Sequence, residues 1–295
     1  MRTCVIFNPV AKGNKARHFR AQLDTIAATA TLKKTTGPNA ARQLAADAVA
    51  EGFDTIVAAG GDGTLNEVLN GIAAADGLDR VRLGVLPLGT VNVFARELKI
   101  PLRVAPAWQT ICQGREQRID LPWADFTGES GPQRLYFAQL AGAGLDARAI
   151  ELVDWNHKKA IGPLAYVIAG LKALCARKAN VTVAANGATA TGELVLVGNG
   201  RLYGGDYELF PGAALHDGVL EVCVLPRVNW FTLLRCGLPL LVRGKLPDSA
   251  VRRLRAPEFT LAGDAPATFE VDGEWAGRLP AKFGVARERL RIIVP

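Results

Sequence analysis

The chain has 295 residues, which is enough for two domains of ordinary size. Hydrophobic residues make up 49% of it and charged residues 21%, a composition that supplies packed cores and excludes wholesale disorder. The net charge of +7 favours an anionic partner. Its basic residues are scattered and are not interleaved with aromatic residues, so we expect a membrane surface rather than nucleic acid.

The cysteines and the apolar segments bear on the compartment. Five cysteines at wide spacings form neither a CxxC pair nor a Cys/His cluster, which indicates no disulfide framework and no zinc site. No secretion segment precedes the first apolar run, and no apolar stretch reaches the roughly 20 residues of a spanning helix. We expect a cytoplasmic protein that is peripherally associated with the membrane. A homodimer is left open.

The first third of the chain alternates short β-rich runs with helical patterns. This alternation is typical of a parallel sheet covered by helices on both faces. The predicted strands are 3–7, 30–34, 54–59 and 82–86, and the predicted helices are 15–28, 38–51, one after the glycine run 60–63 and one after the turn 87–89.

Beyond about Asp120 the pattern changes to short strands separated by Gly, Pro, Asn and Asp. This pattern predicts an antiparallel sandwich or sheet, interrupted by helices near 158–176 and 230–243. The predicted strands are 135–140, 181–185, 192–197, 219–225, 258–261 and 267–271. Periodicity assigns the last strand, 290–294, to neither half.

The segment 60–67, GGDGTLNE, follows a predicted strand and opens a helix, which is where an open parallel sheet binds ligands. Glycines let backbone N–H groups approach a phosphate chain, and the helix N-terminus adds partial positive charge. Asp62 would repel phosphates unless a cation stood between them, so we interpret it as a ligand of Mg²⁺. The alternative is a glycine turn with a capping Asp. The segment is not a Walker loop, because no Gly-Lys-Ser/Thr follows, and its glycine spacing does not fit the dinucleotide fingerprint.

A second loop, 87–96, repeats this arrangement and offers the hydroxyl of Thr90. Because it also follows a strand and opens a helix, its N–H groups could face the same cleft. Asn8 and Thr36, which follow the first two predicted strands, then fall on the same edge of the sheet.

Taken together, these motifs resemble the catalytic domain of the diacylglycerol kinase family, which includes the bacterial soluble lipid kinases and the sphingosine kinases. The resemblance rests on Asn8-Pro9, GGDGTLNEVLNG (60–71), PLGTVNVFAREL (87–98), GAGLDA (142–147), NGRLYGG (199–205), Pro211, DGVLEV (217–222) and DGE (272–274). It implies an α/β + β fold. An N-terminal nucleotide-binding domain similar to NAD kinases and phosphofructokinases would span 1–125, and a β-sandwich-like lipid domain would span 126–281. The segment 282–295 would pack back on the first domain.

The resemblance also implies an activity: transfer of the γ-phosphate of ATP to the hydroxyl of a membrane lipid such as diacylglycerol, phosphatidylglycerol, a sphingoid base or ceramide. Glu274 would be the general base, and Asp62 would hold the catalytic Mg²⁺. A structural cation would be bound by the side chain of Asp217 and the carbonyls of Ala214 and Val219. The implied ATP-binding residues are Asn8, Thr36, Gly60, Gly61, Asp62, Gly63, Thr64, Leu65, Asn66 and Thr90.

Two positions depart from the family pattern. Val93 stands where the family usually has Asp, and His216 replaces an Asp that commonly precedes the position of Asp217. These departures keep open a non-catalytic nucleotide or lipid sensor. A kinase of a soluble metabolite such as NAD is a second alternative, because that neighbouring family shares GGDGT. Without the resemblance, Glu274 would be interpreted as a solvent-facing strand residue after a hairpin turn.

Two segments are candidates for contact with an anionic membrane. One is the apolar helix 161–176, with His157, Lys158 and Lys159 before it, and the other is Trp230-Phe231 leading into 233–242. Aromatic and basic flanks favour an interfacial position, although either helix could equally be part of a core.

Overall fold

In the computed structural model the chain is described at residues 2–9, 14–145, 147, 179–264 and 266–295. It divides into two compact units. Unit 1 comprises Met1–Leu121, Tyr136–Ala138 and Ala286–Pro295, and unit 2 comprises Pro122–Leu135 and Gln139–Val285. The predicted helix 158–176 lies outside the described residues.

Unit 1 is built on a six-stranded sheet in the order β2-β1-β3-β4-β20-β5. β1 to β4 are parallel, β20 pairs in parallel with β4, and β5 is antiparallel to β20. The strand β3 (TIVAAG) is buried along its whole length, as a strand covered on both faces should be. The six strands are β1 Thr3–Phe7, β2 Thr31–Lys34, β3 Thr55–Gly60, β4 Arg82–Pro87, β5 Arg115–Ile119 and β20 Leu290–Val294.

The described part of unit 1 contains six helices. The helix that follows the glycine run buries Leu65, Val68, Leu69 and Ile72, which is the apolar face that the sequence predicts. The helices are α1 Asn14–Ala21, α2 Leu23–Ala27, α3 Ala40–Ala50, α4 Asp62–Ala74, α5 Val93–Glu97 and α6 Val104–Gln113. The α/β class predicted for this half of the chain is confirmed.

Two helix predictions need correction. The single helix predicted at 15–28 is broken into α1 and α2, because the N–H of Gln22 bonds to the carbonyl of Phe19 in a tight turn between them. The helix predicted from Pro38 begins only at Ala40, because Asn39 has a φ of 62° and lies in the left-handed region.

Unit 2 contains two six-stranded sheets, in the orders β10-β9-β16-β19-β6-β7 and β15-β14-β11-β8-β17-β18. A short pair, β12-β13, also lies in the described part of unit 2. Their bounds are β6 Pro122–Gly128, β7 Gly131–Tyr136, β8 Leu140–Gly144, β9 Val181–Ala185, β10 Ala188–Gly192, β11 Leu194–Gly198, β12 Leu202–Tyr203, β13 Tyr207–Glu208, β14 Leu220–Leu225, β15 Arg252–Ala256, β16 Glu258–Gly263, β17 Thr268–Val271, β18 Glu274–Arg278 and β19 Ala281–Val285.

Aromatic rings join the two sheets of unit 2. The ring of Phe269 on β17 lies 5.1 Å from the ring of Phe126 on β6 and 5.6 Å from that of Phe283 on β19, measured between centroids and edge-on in both cases. Such edge-to-face contacts add to the apolar burial that holds a sandwich together. The predicted β-sandwich is confirmed.

The strand predicted at 135–140 is interrupted between Tyr136 and Leu140. Here side chains, instead of a neighbouring strand, form hydrogen bonds with the backbone. Asn70 bonds to both the N–H and the carbonyl of Tyr136, and Asp272 accepts from the N–H of Gln139. The bonds from Asn70 join Tyr136 to α4, and the short segment Tyr136–Ala138 belongs to unit 1, whereas its flanks belong to unit 2.

Between β14 and β15 lie a helix, α7 (Trp230–Arg243), and a single 3₁₀ turn, Asp248–Ala250. The sequence predicts this helix with the same bounds. Over the described part of the chain, every helix is too short or too polar to cross a lipid bilayer.

Candidate active site

The carboxyl ends of the four parallel strands meet along one edge of the sheet in unit 1. Phe7, the last residue of β1, pairs with Lys34 at the end of β2 and with Ala59 near the end of β3, and Gly60 pairs with Pro87 at the end of β4. The residues that follow these strands therefore share the edge at which open α/β sheets bind ligands. Partly buried Asn8 and exposed Thr36 follow β1 and β2.

The β3–α4 loop places the start of α4 at this edge. Gly61 is the residue before the helix, and Asp62, Gly63 and Thr64 form its first turn. A helix leaves the N–H groups of its first turn without intrahelical partners, and a glycine has no side chain with which to cap them. A Cβ on Gly60 would collide with the side chain of Thr64, so the close turn requires glycine there.

The second loop packs against the first, backbone against backbone. The N–H groups of Leu88 and Gly89 donate to the carbonyl of Gly60 at 2.8 and 3.2 Å. A Cβ on Gly89 would lie 2.5 Å from the Cα of Gly61, which excludes any other residue without a shift of the backbone. The buried side chain of Asn92 closes this loop, because it accepts from the N–H of Gly89 and donates to its carbonyl. Thr90, between them, is exposed.

Asp62 joins the two loops. Its carboxylate accepts hydrogen bonds from the N–H groups of Val93 (3.2 Å) and Phe94 (3.4 Å), so it caps the start of α5 as well as standing in the first turn of α4. The departure at Val93 therefore leaves its backbone contact with Asp62 in place. Carboxylate oxygen is the ligand that Mg²⁺ prefers, and Mg²⁺ in phosphate sites needs only one or two such groups. Asp62 fits that requirement.

Further along α4, three polar residues position neighbouring segments. Glu67 accepts hydrogen bonds from the N–H groups of Asn39 (3.1 Å) and Ala41 (3.0 Å), which caps the start of α3. The amide of Asn66, predicted to bind ATP, donates to the carbonyl of Tyr136 at 3.0 Å. Asn70 bonds to the same residue. From the sequence alone, Glu67 and Asn70 have no predicted role, although a buried Asn on the apolar face of a predicted helix is a usable signal.

In unit 2, Glu274 stands directly after a two-residue hairpin turn. Asp272 and Gly273 have φ values of 48° and 84°, the combination of a type I′ turn, and Glu274 then pairs with Val271 across the hairpin. The carboxylate of buried Asp272 accepts from the N–H groups of Gln139 (2.9 Å) and Leu140 (3.2 Å), which fixes the hairpin to β8. Glu274 is partly exposed on a rigid turn, so the hairpin interpretation of the backbone is right, and its proposed role as a base stays a prediction.

The loop predicted to hold a structural cation has partners of its own. One oxygen of Asp217 accepts from the N–H of Val219 at 3.1 Å, and the other is paired with the guanidinium of Arg255. The carbonyl of Ala214 accepts from the N–H of His216 at 2.8 Å. A cation bound at this loop would share the carboxylate of Asp217 with Arg255, and the metal role of Asp217, Ala214 and Val219 stays a prediction. Within the described ranges, no three His, Cys, Asp or Glu side chains cluster as metal ligands.

Two family models match the chain. The diacylglycerol kinase catalytic domain matches residues 2–124, and the YegS C-terminal NAD kinase beta sandwich-like domain matches residues 139–294. A diacylglycerol kinase of Bacillus subtilis (strain 168) is 30% identical over 302 residues, which cover the whole of this chain and 96% of that protein. The chain belongs to the diacylglycerol kinase family.

A second relative agrees with this membership, and solved structures share the fold. A protein of Xanthomonas campestris pv. campestris (strain 8004), named a probable lipid kinase YegS-like, is 34% identical over 263 residues, or 86% of this chain and 83% of that protein. The crystal structure of a diacylglycerol kinase from Bacillus anthracis superposes over 100% of this chain and 97% of that chain, with a TM-score of 0.78 and 21% identity. A yeast NADH kinase shares the fold at a TM-score of 0.58 and 10% identity, over 100% of this chain and 84% of that chain.

Proposed function

We propose that this family member is a lipid kinase that transfers the γ-phosphate of ATP to the hydroxyl of a membrane lipid. The observation that carries the proposal is the pair of glycine loops packed together at the carboxyl edge of the parallel sheet, with Asp62 bound to the starts of both helices. Relatives named diacylglycerol kinase and lipid kinase support it. The acceptors to be tested are diacylglycerol, phosphatidylglycerol, a sphingoid base and ceramide.

The sheet edge of unit 1 is the proposed ATP site. The N–H groups in the first turn of α4 donate to the phosphate oxygens, and the partial positive charge of the helix start stabilises them. Thr90 adds a hydroxyl donor, and Asn8 and Thr36 extend the site along the edge. Gly60, Gly61 and Gly63 keep the backbone accessible, whereas Leu65 anchors the helix in the core and Asn66 holds Tyr136.

Asp62 is the proposed ligand through which Mg²⁺ is held against the phosphates. When bound, this ion supplies charge neutralisation for the phosphoryl group in transfer. Asp62 itself positions the two loops, because its carboxylate fixes α5 relative to α4. Asp62 thus both fixes the geometry of the phosphate site and supplies the negative charge that binds the ion.

Glu274 is the proposed general base. Its carboxylate accepts the proton of the lipid hydroxyl while that oxygen forms a bond to the γ-phosphorus, and the bond from the γ-phosphorus to the bridging oxygen of ADP breaks. A base of this kind contributes about 10²–10⁴-fold to the rate. The rigid type I′ turn at Asp272-Gly273 supports this role, since a base must be held within hydrogen-bond reach.

Labelled ATP offered to the four lipids in mixed micelles, with and without Mg²⁺, tests the proposal. We expect label in one or more lipids, only when Mg²⁺ is present, and little in the Glu274→Gln variant. NAD serves as the soluble acceptor for comparison. Label in NAD but in no lipid, or tight ATP binding without transfer to any acceptor, would overturn the proposal.

A further inference from the structure

Both ends of the helix α7 in unit 2 are capped by residues of this chain. The side chain of Asn229 accepts from the N–H of Thr232 at 2.9 Å and caps its start, and Gly244, with a φ of 68°, ends it. Its inner side contacts a buried cluster that includes Cys236 of the helix and Phe210, and Leu240 of the helix packs against this cluster. The helix is therefore docked to unit 2 by one face.

The other face of α7 is apolar as well, and it is in water. Five large side chains are between 61% and 75% exposed, and they fall within about 120° of the helix circumference. We call them the apolar stripe: Trp230, Phe231, Leu234, Leu238 and Val242. They supply five of the six large hydrophobic side chains exposed in the described part of the chain. A contiguous patch of this kind marks an interaction surface.

The segment of chain that carries the apolar stripe is basic. From 222 to 247 the sequence carries four basic residues and no acidic one: Arg227, Arg235, Arg243 and Lys245. Arg235 donates to the hydroxyl of Ser249, a neutral partner, and so retains its charge. Lys245 is offset by Glu208 at 2.9 Å. The remaining positive charge complements an anionic surface.

Length decides how such a helix would lie. Its 14 residues span about 21 Å, whereas the hydrocarbon core of a bilayer is about 30 Å thick. A short helix with one apolar face, an aromatic pair and basic neighbours lies in the plane of the interface. A second copy of the chain is a poorer occupant, because pairing α7 with α7 would bring the basic residues of both copies together.

We propose that the apolar stripe of α7 is a membrane-docking surface that binds bilayers containing anionic phospholipid. Trp230 and Phe231 enter the headgroup region, and the aliphatic residues of the stripe follow them along the helix. The proposal concerns binding alone. It can therefore fail while the phosphoryl-transfer function stands, and it can hold when no phosphate is transferred.

Sedimentation of the full chain with vesicles, in the absence of ATP, tests the proposal. The vesicles are phosphatidylcholine alone or equimolar phosphatidylcholine and phosphatidylglycerol. We expect the wild type to bind the anionic vesicles, less so at high salt. The double variant Leu234→Gln/Leu238→Gln should lower the partition coefficient at least about tenfold. Leu234→Met/Leu238→Met, which keeps the stripe apolar, should bind as the wild type does.

A charge variant separates the two contributions. Arg235→Gln should weaken binding to the anionic vesicles about fivefold and leave binding to phosphatidylcholine unchanged. Circular dichroism and the melting temperature check that each variant is folded, and the single variant Leu234→Gln replaces the double one if the latter unfolds. Wild-type binding by the Gln variant would overturn the proposal. So would a wild-type dimer that the Gln variant splits without any change in vesicle binding, because the stripe would then be a dimer interface.

Discussion

The acidic side chains at the sheet edge of unit 1 and those beside β15 in unit 2 all accept hydrogen bonds from backbone N–H groups, and those beside β15 are also paired with arginine. At the sheet edge, Asp62 and Glu67 each accept hydrogen bonds from backbone N–H groups at the start of a helix. In unit 2, Glu221 of β14 and Asp217 just before it are paired with two arginines of β15. Resemblance to the family assigns a cation to both aspartates, yet their surroundings differ.

This difference separates two uses of a carboxylate. A backbone N–H positions a carboxylate without cancelling its formal charge, whereas a guanidinium both positions and neutralises it. An acid at a helix start on the ligand edge of a sheet can therefore fix the local backbone and still bind a cation. When an acid is paired with arginine, its charge is neutralised and its main contribution is to stabilise the loop that carries it. Substitutions that remove only the charge should tell the two apart.

The largest effect is expected at Glu274, which stands on a turn that backbone bonds hold in place. Glu274→Gln keeps the shape and removes the basicity, so kcat should fall by about 10²–10⁴-fold while the Kd for ATP barely changes. Steady-state kinetics on the lipid that the panel identifies, with ATP binding by calorimetry, measure both. Asp272→Asn is the matched control, because it perturbs the same turn and should lower the melting temperature. Turnover of the Gln variant close to that of the wild type would remove Glu274 from the role of base.

Asp62→Asn should follow in magnitude. We expect lipid phosphorylation to fall at least about a hundredfold with the fold retained, because a metal ion against the phosphates is worth several kcal/mol. An amide can still accept one hydrogen bond from the start of α5, so the loss should exceed what a weakened cap explains.

Glu67→Gln is the control for the Asp62 variant, since Glu67 caps α3 from the same helix. It should cost about 1 kcal/mol of unfolding free energy and leave the dependence of the rate on Mg²⁺ unchanged. Equal losses of activity in the two variants would mean that Asp62 acts only as a cap.

Local sequence patterns predicted most of the strands and the ligand-binding edge of unit 1. Buried apolar runs located β1, β3, β4 and β20, and the glycine loops located the ligand edge of the sheet. It could not show that Asp62 would bond to Val93 and Phe94, 31 and 32 residues away, because no local preference links two loops that meet only after the sheet has formed.

Two further features were beyond local patterns for the same reason. The break between β7 and β8 depends on Asn70 and Asp272, which reach the segment from 66 and 133 residues away. The pairing of Asp217 with Arg255 spans 38 residues and competes with the cation that the resemblance implied. In each case a side chain took a partner that the neighbouring sequence does not contain.

A smaller effect is expected at the arginine-paired loop. Asp217→Asn and Arg255→Ala should each lower the free energy of unfolding by about 1 kcal/mol, because the pair is only partly buried. Without ATP, Mg²⁺ should leave the melting temperature of the wild type unchanged.

Arg255→Ala frees one oxygen of the Asp217 carboxylate for the cation that the resemblance implies. Mg²⁺ should then raise the melting temperature of this variant, since an ion that binds only the folded state stabilises it. The double variant Asp217→Asn/Arg255→Ala should lose that response. If Mg²⁺ instead stabilises the wild type and Asp217→Asn abolishes the effect, a cation displaces Arg255 in this loop.

The smallest effect concerns Glu116 on β5, which accepts two hydrogen bonds from Arg291 on β20, at 2.8 and 2.7 Å. Hydrogen bonding from Arg291 lowers the pKa of Glu116 below its ordinary value of 4.5, against the opposing effect of burial. A lowered pKa in the folded state stabilises the protein above the unfolded value, and this contribution is lost as the pH falls through the folded pKa. Urea unfolding of the wild type and Glu116→Gln should therefore differ by about 0.5–1 kcal/mol at neutral pH and converge well below pH 4.5. Glu258→Gln, which breaks the more exposed pair with Lys282, should show a smaller difference. A Glu116→Gln difference that stayed constant across this pH range would mean that the charge of Glu116 does not contribute to holding β20 against β5.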